Sequence, residues 1–157
     1  MSSETTTAVP VRDGTTEIQS GAIGGIVASA VMAIPMLAQM GPVIEQAIPA
    51  MYGVSGPAPA VGFGMHLVHG AVFGVVFAAV LSTDALGKWA DGYAGSAGLG
   101  LAYGVLVWVV AAAVVMPLWL SAVGFPAAPA LPNFDTTSLL GHLVFGLALG
   151  LVYPALR

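Results

Sequence analysis

The chain has 157 residues, of which 58% are hydrophobic and 6% charged, with a mean hydropathy of +0.96 and a formal net charge of -4. An ordinary soluble domain carries about 25% charged residues, so a water-facing surface is excluded, and lipid is the solvent that accepts an apolar exterior. Three basic residues cannot form the patch that a nucleic-acid partner requires, and the lack of cysteine excludes disulfides, iron-sulfur clusters and thiolate zinc sites.

Residues 1–20, MSSETTTAVPVRDGTTEIQS, are polar and mildly acidic. They have neither the basic start nor the short apolar core of a signal peptide, which predicts a disordered tail that stays attached. Residues 21–157 are then one transmembrane domain. Crossing a bilayer takes about 20 apolar residues, and four runs meet that length: Gly21 to Met40, Val61 to Leu81, Gly95 to Leu120, and Ser138 to Leu156. Membrane strands are shorter, about 10 residues, and alternate in character, so these runs are expected to be helices.

Between the first two runs lies GPVIEQAIPAMYGVSGPAPA, and between the last two VGFPAAPALPNFDTT; both are rich in proline and lack Lys and Arg. The middle connection carries Lys88, Arg12 lies in the tail, and Arg157 ends the chain. With four spans all three fall on one side, so the positive-inside rule predicts cytoplasmic N- and C-termini and a cell-membrane location. The two proline-rich linkers then face outward, with Tyr52, Trp119 and Phe125 at the interface.

The segment MHLVHGAVFGVVF (65–77) matches GHLVFGLALGLVY (141–153) without a gap. A weaker match joins AIPML (33–37) to VMPLW (115–119). The fold class expected is therefore all-α, a polytopic membrane four-helix bundle made of two parallel two-helix repeats about an axis along the membrane normal. Small residues four apart let helix backbones approach in lipid, and each run has such a pair: Gly21 and Gly25, Gly70 and Gly74, Gly100 and Gly104, Gly146 and Gly150. His66 and His142 each precede a glycine by four residues, so they share its packed face and should point into the bundle.

Ionisable groups inside spans face the protein interior or a cavity and mark functional sites, although a neutral histidine can simply bond a neighbouring carbonyl and hold helices together. Two imidazoles from two helices suit axial ligation of haem, with glycine leaving room for a flat macrocycle. His69, three residues from His66, could complete a metal or proton-relay site instead. A second ligand pattern is thioether: Met32, Met36 and Met40 lie four apart, with Met65 and Met116 in the same half. Thioether with imidazole suits copper(I), while Met also fills irregular packing gaps. Pro35 and Pro117 are expected to bend their helices, and Ser29 to bond its own helix. Glu45 and Asp135 fall in linkers, so neither a buried acid pair nor a Ser-His-Asp arrangement argues for an enzyme.

The motifs GMHLVHG, MPLWLSAVGFPAAPALPNFD and HLVFGLALGLVYP, with the acidic Thr-rich tail, resemble small four-span membrane proteins of haloarchaea, a family without an assigned activity, some of whose members carry histidine-kinase labels. The resemblance implies a membrane location. A kinase is physically implausible, because spans and short linkers leave no ATP-binding region. Three function classes follow: a non-enzymatic binding or electron-transfer module using the histidines for haem or copper; a small carrier or channel with its pathway between the repeats; and a structural subunit of a homo-oligomer or larger membrane complex.

Overall fold

The structure is a computed structural model that describes residues 14–90 and 92–157. Four of its helices are long and apolar enough to cross a membrane: Thr16–Met51, Pro59–Leu81, Tyr93–Ala122 and Thr136–Leu156. The first comprises α1 (Gly14–Pro42), a π-helical segment (Val43–Ala47) and α2 (Ile48–Met51). The second is α3 (Pro59–Leu81), followed by the short α4 (Asp84–Ala90). The third joins α5 (Tyr93–Val107), a π-helical segment (Trp108–Val115) and α6 (Met116–Ala122), and the fourth is α7 (Thr136–Leu156). No strand occurs among the described residues. Internal hydrogen bonding is what a helix offers a backbone in lipid, and this all-helical build is its consequence.

Two boundaries differ from those expected. α1 begins at Gly14, so residues 14–20, assigned to the polar tail, are helical; Ser20 is buried and its hydroxyl donates to the carbonyl of Leu156 (2.7 Å), tying the first helix to the last. Residues 1–13, including Arg12, lie outside the described residues, as does Asp91. The first span also runs on past Met40 to Met51, through residues read as linker. Met40 leaves helical geometry (φ -137°, ψ 34°), and the chain kinks there rather than at Pro35.

Prolines inside a helix free the carbonyl four residues earlier, and two such carbonyls at this end are captured. Glu45, orphaned by Pro49, accepts from the backbone N–H of Ala58 at 2.8 Å. Ala113, orphaned by Pro117, accepts from the N–H of Asn133 at 2.9 Å. A helix-breaking sequence therefore remains helical because neighbouring linker residues satisfy its backbone. The π-helical segments end two residues before Pro49 and Pro117, and such local widening often marks a functional region.

α1 packs against both α3 and α7, and α5 against α7. Glycines set these close approaches. A Cβ built on Gly25 would meet the Gly70 carbonyl and lie 3.0 Å from the Gly74 Cα. One on Gly100 would meet the Gly146 carbonyl and lie 2.9 Å from the Gly150 Cα. Gly21 abuts Gly74, Gly104 abuts His142 and Gly146, and Gly150 abuts Ser96.

α3 and α5 are held further apart by aromatic side chains. Phe77 lies 5.2 Å from Tyr103 and 5.6 Å from Tyr153, ring centre to ring centre, and Phe73 meets Phe145 edge-on at 6.4 Å. The Tyr103 hydroxyl donates to the Phe73 carbonyl at 2.7 Å, so the polar end of this buried ring is satisfied. Outward-facing side chains such as Ile34, Leu106 and Leu140 are exposed and apolar, the surface of an integral membrane protein.

Candidate functional site

A cavity of about 540 Å³ opens at the end of the bundle that carries the two long linkers, within the range of about 300–1,000 Å³ usual for ligand sites. Its walls are the kinked half of the first span, the start of α3, the π-helical half of the third span and the start of α7. The kink at Met40 and the widened turns draw the first and third spans off straight paths, while the glycine contacts below keep the bundle shut.

His66, His69 and His142 all line this cavity. His66 sits two turns into α3 and is 7% exposed; its Nε2–H donates to the Ser29 carbonyl across the α1/α3 contact (3.0 Å). A carbonyl oxygen can only accept, so this bond fixes the proton on Nε2 and leaves Nδ1 with a bare lone pair when the ring is neutral. His142, half-buried near the start of α7, donates from Nδ1 to the Ser138 carbonyl one turn earlier (2.8 Å). By the same reasoning its Nε2 carries the lone pair. Donation of one ring N–H to a backbone carbonyl is how metal-ligating histidines are oriented.

His69 has a different partner. Its Nε2 and the Tyr52 hydroxyl are 2.5 Å apart, and the Tyr52 ring meets Trp119 at a tilt of 57°, with ring centres 5.5 Å apart. Tyr52 lies outside the spans, where partial burial raises its pKa from the ordinary 10.0 and keeps the hydroxyl protonated. This trio bridges the first linker, α3 and α6 at the cavity mouth. Among the described residues no group of three or more His, Cys, Asp or Glu stands close enough to hold a metal ion.

Of the methionines singled out in the sequence, Met32, Met36, Met40 and Met116 line the cavity, while Met65 does not. Met51 joins them, together with Gln39, Gln46 and Asn133. Met51, Gln46 and Asn133 were hidden because residues 41–60 and 123–137 read as linker. Asp135 is the one charged residue of the lining among the described residues; it caps α7 by accepting from the Ser138 N–H (2.7 Å), and its carbonyl accepts from the Trp108 indole (3.2 Å). Ser29 bonds the Ile26 carbonyl on its own helix (2.9 Å).

One expectation needs correcting. The space beside Gly70 and Gly146, expected to admit a flat macrocycle, is filled by the Ser29 side chain and the Gly25 carbonyl and by the backbones of Gly100 and Gly104. Those glycines serve helix contact. No family model, curated protein or solved structure matches the chain.

Proposed function

We propose that the chain is a non-enzymatic intramembrane binding module of two parallel hairpin repeats, in which His66 and His142 present ring lone pairs to one ligand, a metal ion or a haem. The observation that carries this reading is the pair of N–H bonds to Ser29 and Ser138 carbonyls, which orient two imidazoles from different helices around a single cavity. Histidines serving only as polar glue need no shared cavity and no second free nitrogen. Lys88 and Arg157, with Arg12, favour cytoplasmic termini, so the cavity faces the outside of the cell membrane.

The test is an oxidised and reduced absorption spectrum with elemental analysis on protein purified in mild detergent. The reading expects stoichiometric metal, with or without a Soret band, that disappears in a His66→Gln/His142→Gln variant. A colourless, metal-free wild type that resists loading with metal and haem would sink it.

A carrier is the second reading. Broken helices lining a cavity near a proposed repeat interface are the pattern of secondary transporters, and the kink at Met40 and both π-helical segments lie on the cavity wall. Uptake into vesicles that stops when the cysteines of a Met40→Cys/Trp119→Cys variant are cross-linked would support it; a vesicle impermeable to every cation tested would count against it.

A further inference from the structure

The identity of the ligand follows from the side chains that share the cavity with the two imidazoles, and the inference rests on the binding reading above. The chain has seven methionines. Apart from Met1, six remain, and five of them line this one cavity. Methionine used as plain filler would be spread along four lipid-facing helices, where Leu, Val and Ile serve equally well.

Position sharpens the point. Met32 and Met36 are 6% and 8% exposed and belong to the packed core with Phe145 and Val107, not to the lipid face. Met32 stands one turn beyond Ser29, whose carbonyl anchors His66. Its methyl reaches across to α7, where a Cβ built on Gly141, the neighbour of His142, would lie 3.2 Å from Met32 Cε. The thioether side chain thus reaches from α1 to the helix that carries His142, and the lack of a side chain at Gly141 gives it room.

The chemistry then selects the ion. Zn(II), Mn(II) and Mg(II) favour four to six nitrogen or oxygen ligands, and no cluster of three such groups exists among the described residues. Haem brings two carboxylates, yet the cavity lining contains no Lys or Arg among the described residues, and buried charge without a partner is costly. Two neutral imidazoles with thioethers are a soft, low-charge set that matches a monovalent d¹⁰ ion.

We propose that the cavity binds one Cu(I) ion on the imidazoles of His66 and His142 and the thioethers of Met32 and Met36. Met40, Met51 and Met116 extend the thioether surface toward the mouth, and Asp135 supplies the negative charge that draws a cation in.

The full chain in detergent micelles, stripped of metal, is titrated anaerobically with Cu(I) against a competing chelator, with Ag(I), Zn(II) and haemin as contrasting probes. One Cu(I) per chain is expected, with both nitrogen and sulfur scatterers in the copper X-ray absorption spectrum and with Ag(I) competing but Zn(II) not. The Met32→Leu/Met36→Leu variant keeps the core volume and so its melting temperature, yet is expected to lose roughly 10–100-fold or more in Cu(I) affinity. Unchanged affinity in that variant, or a spectrum with nitrogen alone, overturns the thioether assignment. Haemin binding lost in the His66→Gln/His142→Gln variant, without Cu(I) binding, overturns copper but leaves the paired-histidine reading standing. Failure of every probe overturns both.

Discussion

Replacing Gly25 by alanine tests whether the bundle is set by backbone contact or by general apolar packing. The added methyl meets the Gly70 carbonyl, with its carbon at 2.8 Å and the Gly74 Cα at 3.0 Å, where ordinary contact begins at 3.4 Å. Relieving the 2.8 Å contact alone takes a separation of about 0.6 Å, a gap at which neighbouring atom pairs forfeit about a quarter to a half of their attraction. Overpacking of this kind costs about 1–3 kcal/mol. Alanine also favours helix over glycine by up to about 1 kcal/mol, and a control cancels that gain. Gly98 is exposed in α5 with nothing within 4 Å of its would-be Cβ, so Gly98→Ala carries the propensity term without the clash. Denaturant unfolding in one detergent should therefore place Gly25→Ala below Gly98→Ala by about 1–3 kcal/mol. Equal stability of the two would refute the view that α1 and α3 touch through their backbones.

Ser96 is fully buried and its hydroxyl has no hydrogen-bond partner; Ser96→Ala should be neutral or stabilising by up to about 2 kcal/mol in the same unfolding assay, and a clear loss would mean that the hydroxyl has a role. Trp108→Phe keeps an aromatic ring against Phe134 but removes the indole bond to the Asp135 carbonyl, for an expected cost of about 0.5–1.5 kcal/mol. Tyr52→Phe removes the bond to His69 while preserving the contact with Trp119; Ag(I) should then enter and leave the cavity faster by stopped-flow, and unchanged rates would show that the trio does not guard the mouth. A chain without cysteine suits single-site labelling: Cys at Ser55 should react with an impermeant thiol reagent added outside intact cells, and Cys at Ser3 only after lysis. The reverse pattern would invert the topology.

The spans were legible because hydrocarbon demands long apolar runs, and Pro59–Leu81 and Thr136–Leu156 lie within two residues of the boundaries read from hydropathy. Residues 41–51 were not, since Pro42 and Pro49 read as breakers until the Ala58 N–H is seen to satisfy the Glu45 carbonyl. That misreading hid Met51, which reaches the cavity only because the helix continues to it. The three histidines were legible as uncommon polar groups, but their partners were not. Nothing in the spacing distinguishes a ring that bonds Ser29 across a helix contact from one that bonds Ser138 on its own helix, or from one that meets Tyr52 in a linker. Room beside Gly70 and Gly146 was misjudged for a related reason: a glycine face records close approach, and only the fold shows that a neighbouring helix occupies it.

Nitrogen-15 NMR of the imidazoles, before and after one equivalent of Ag(I), addresses the paired site most directly. His66 should carry its proton on Nε2 and His142 on Nδ1, as their carbonyl partners dictate, and one silver ion per chain should shift the His66 Nδ1 and His142 Nε2 resonances together. Ring resonances that stay in place when the ion binds, or that respond at only one of the two histidines, would contradict a shared site.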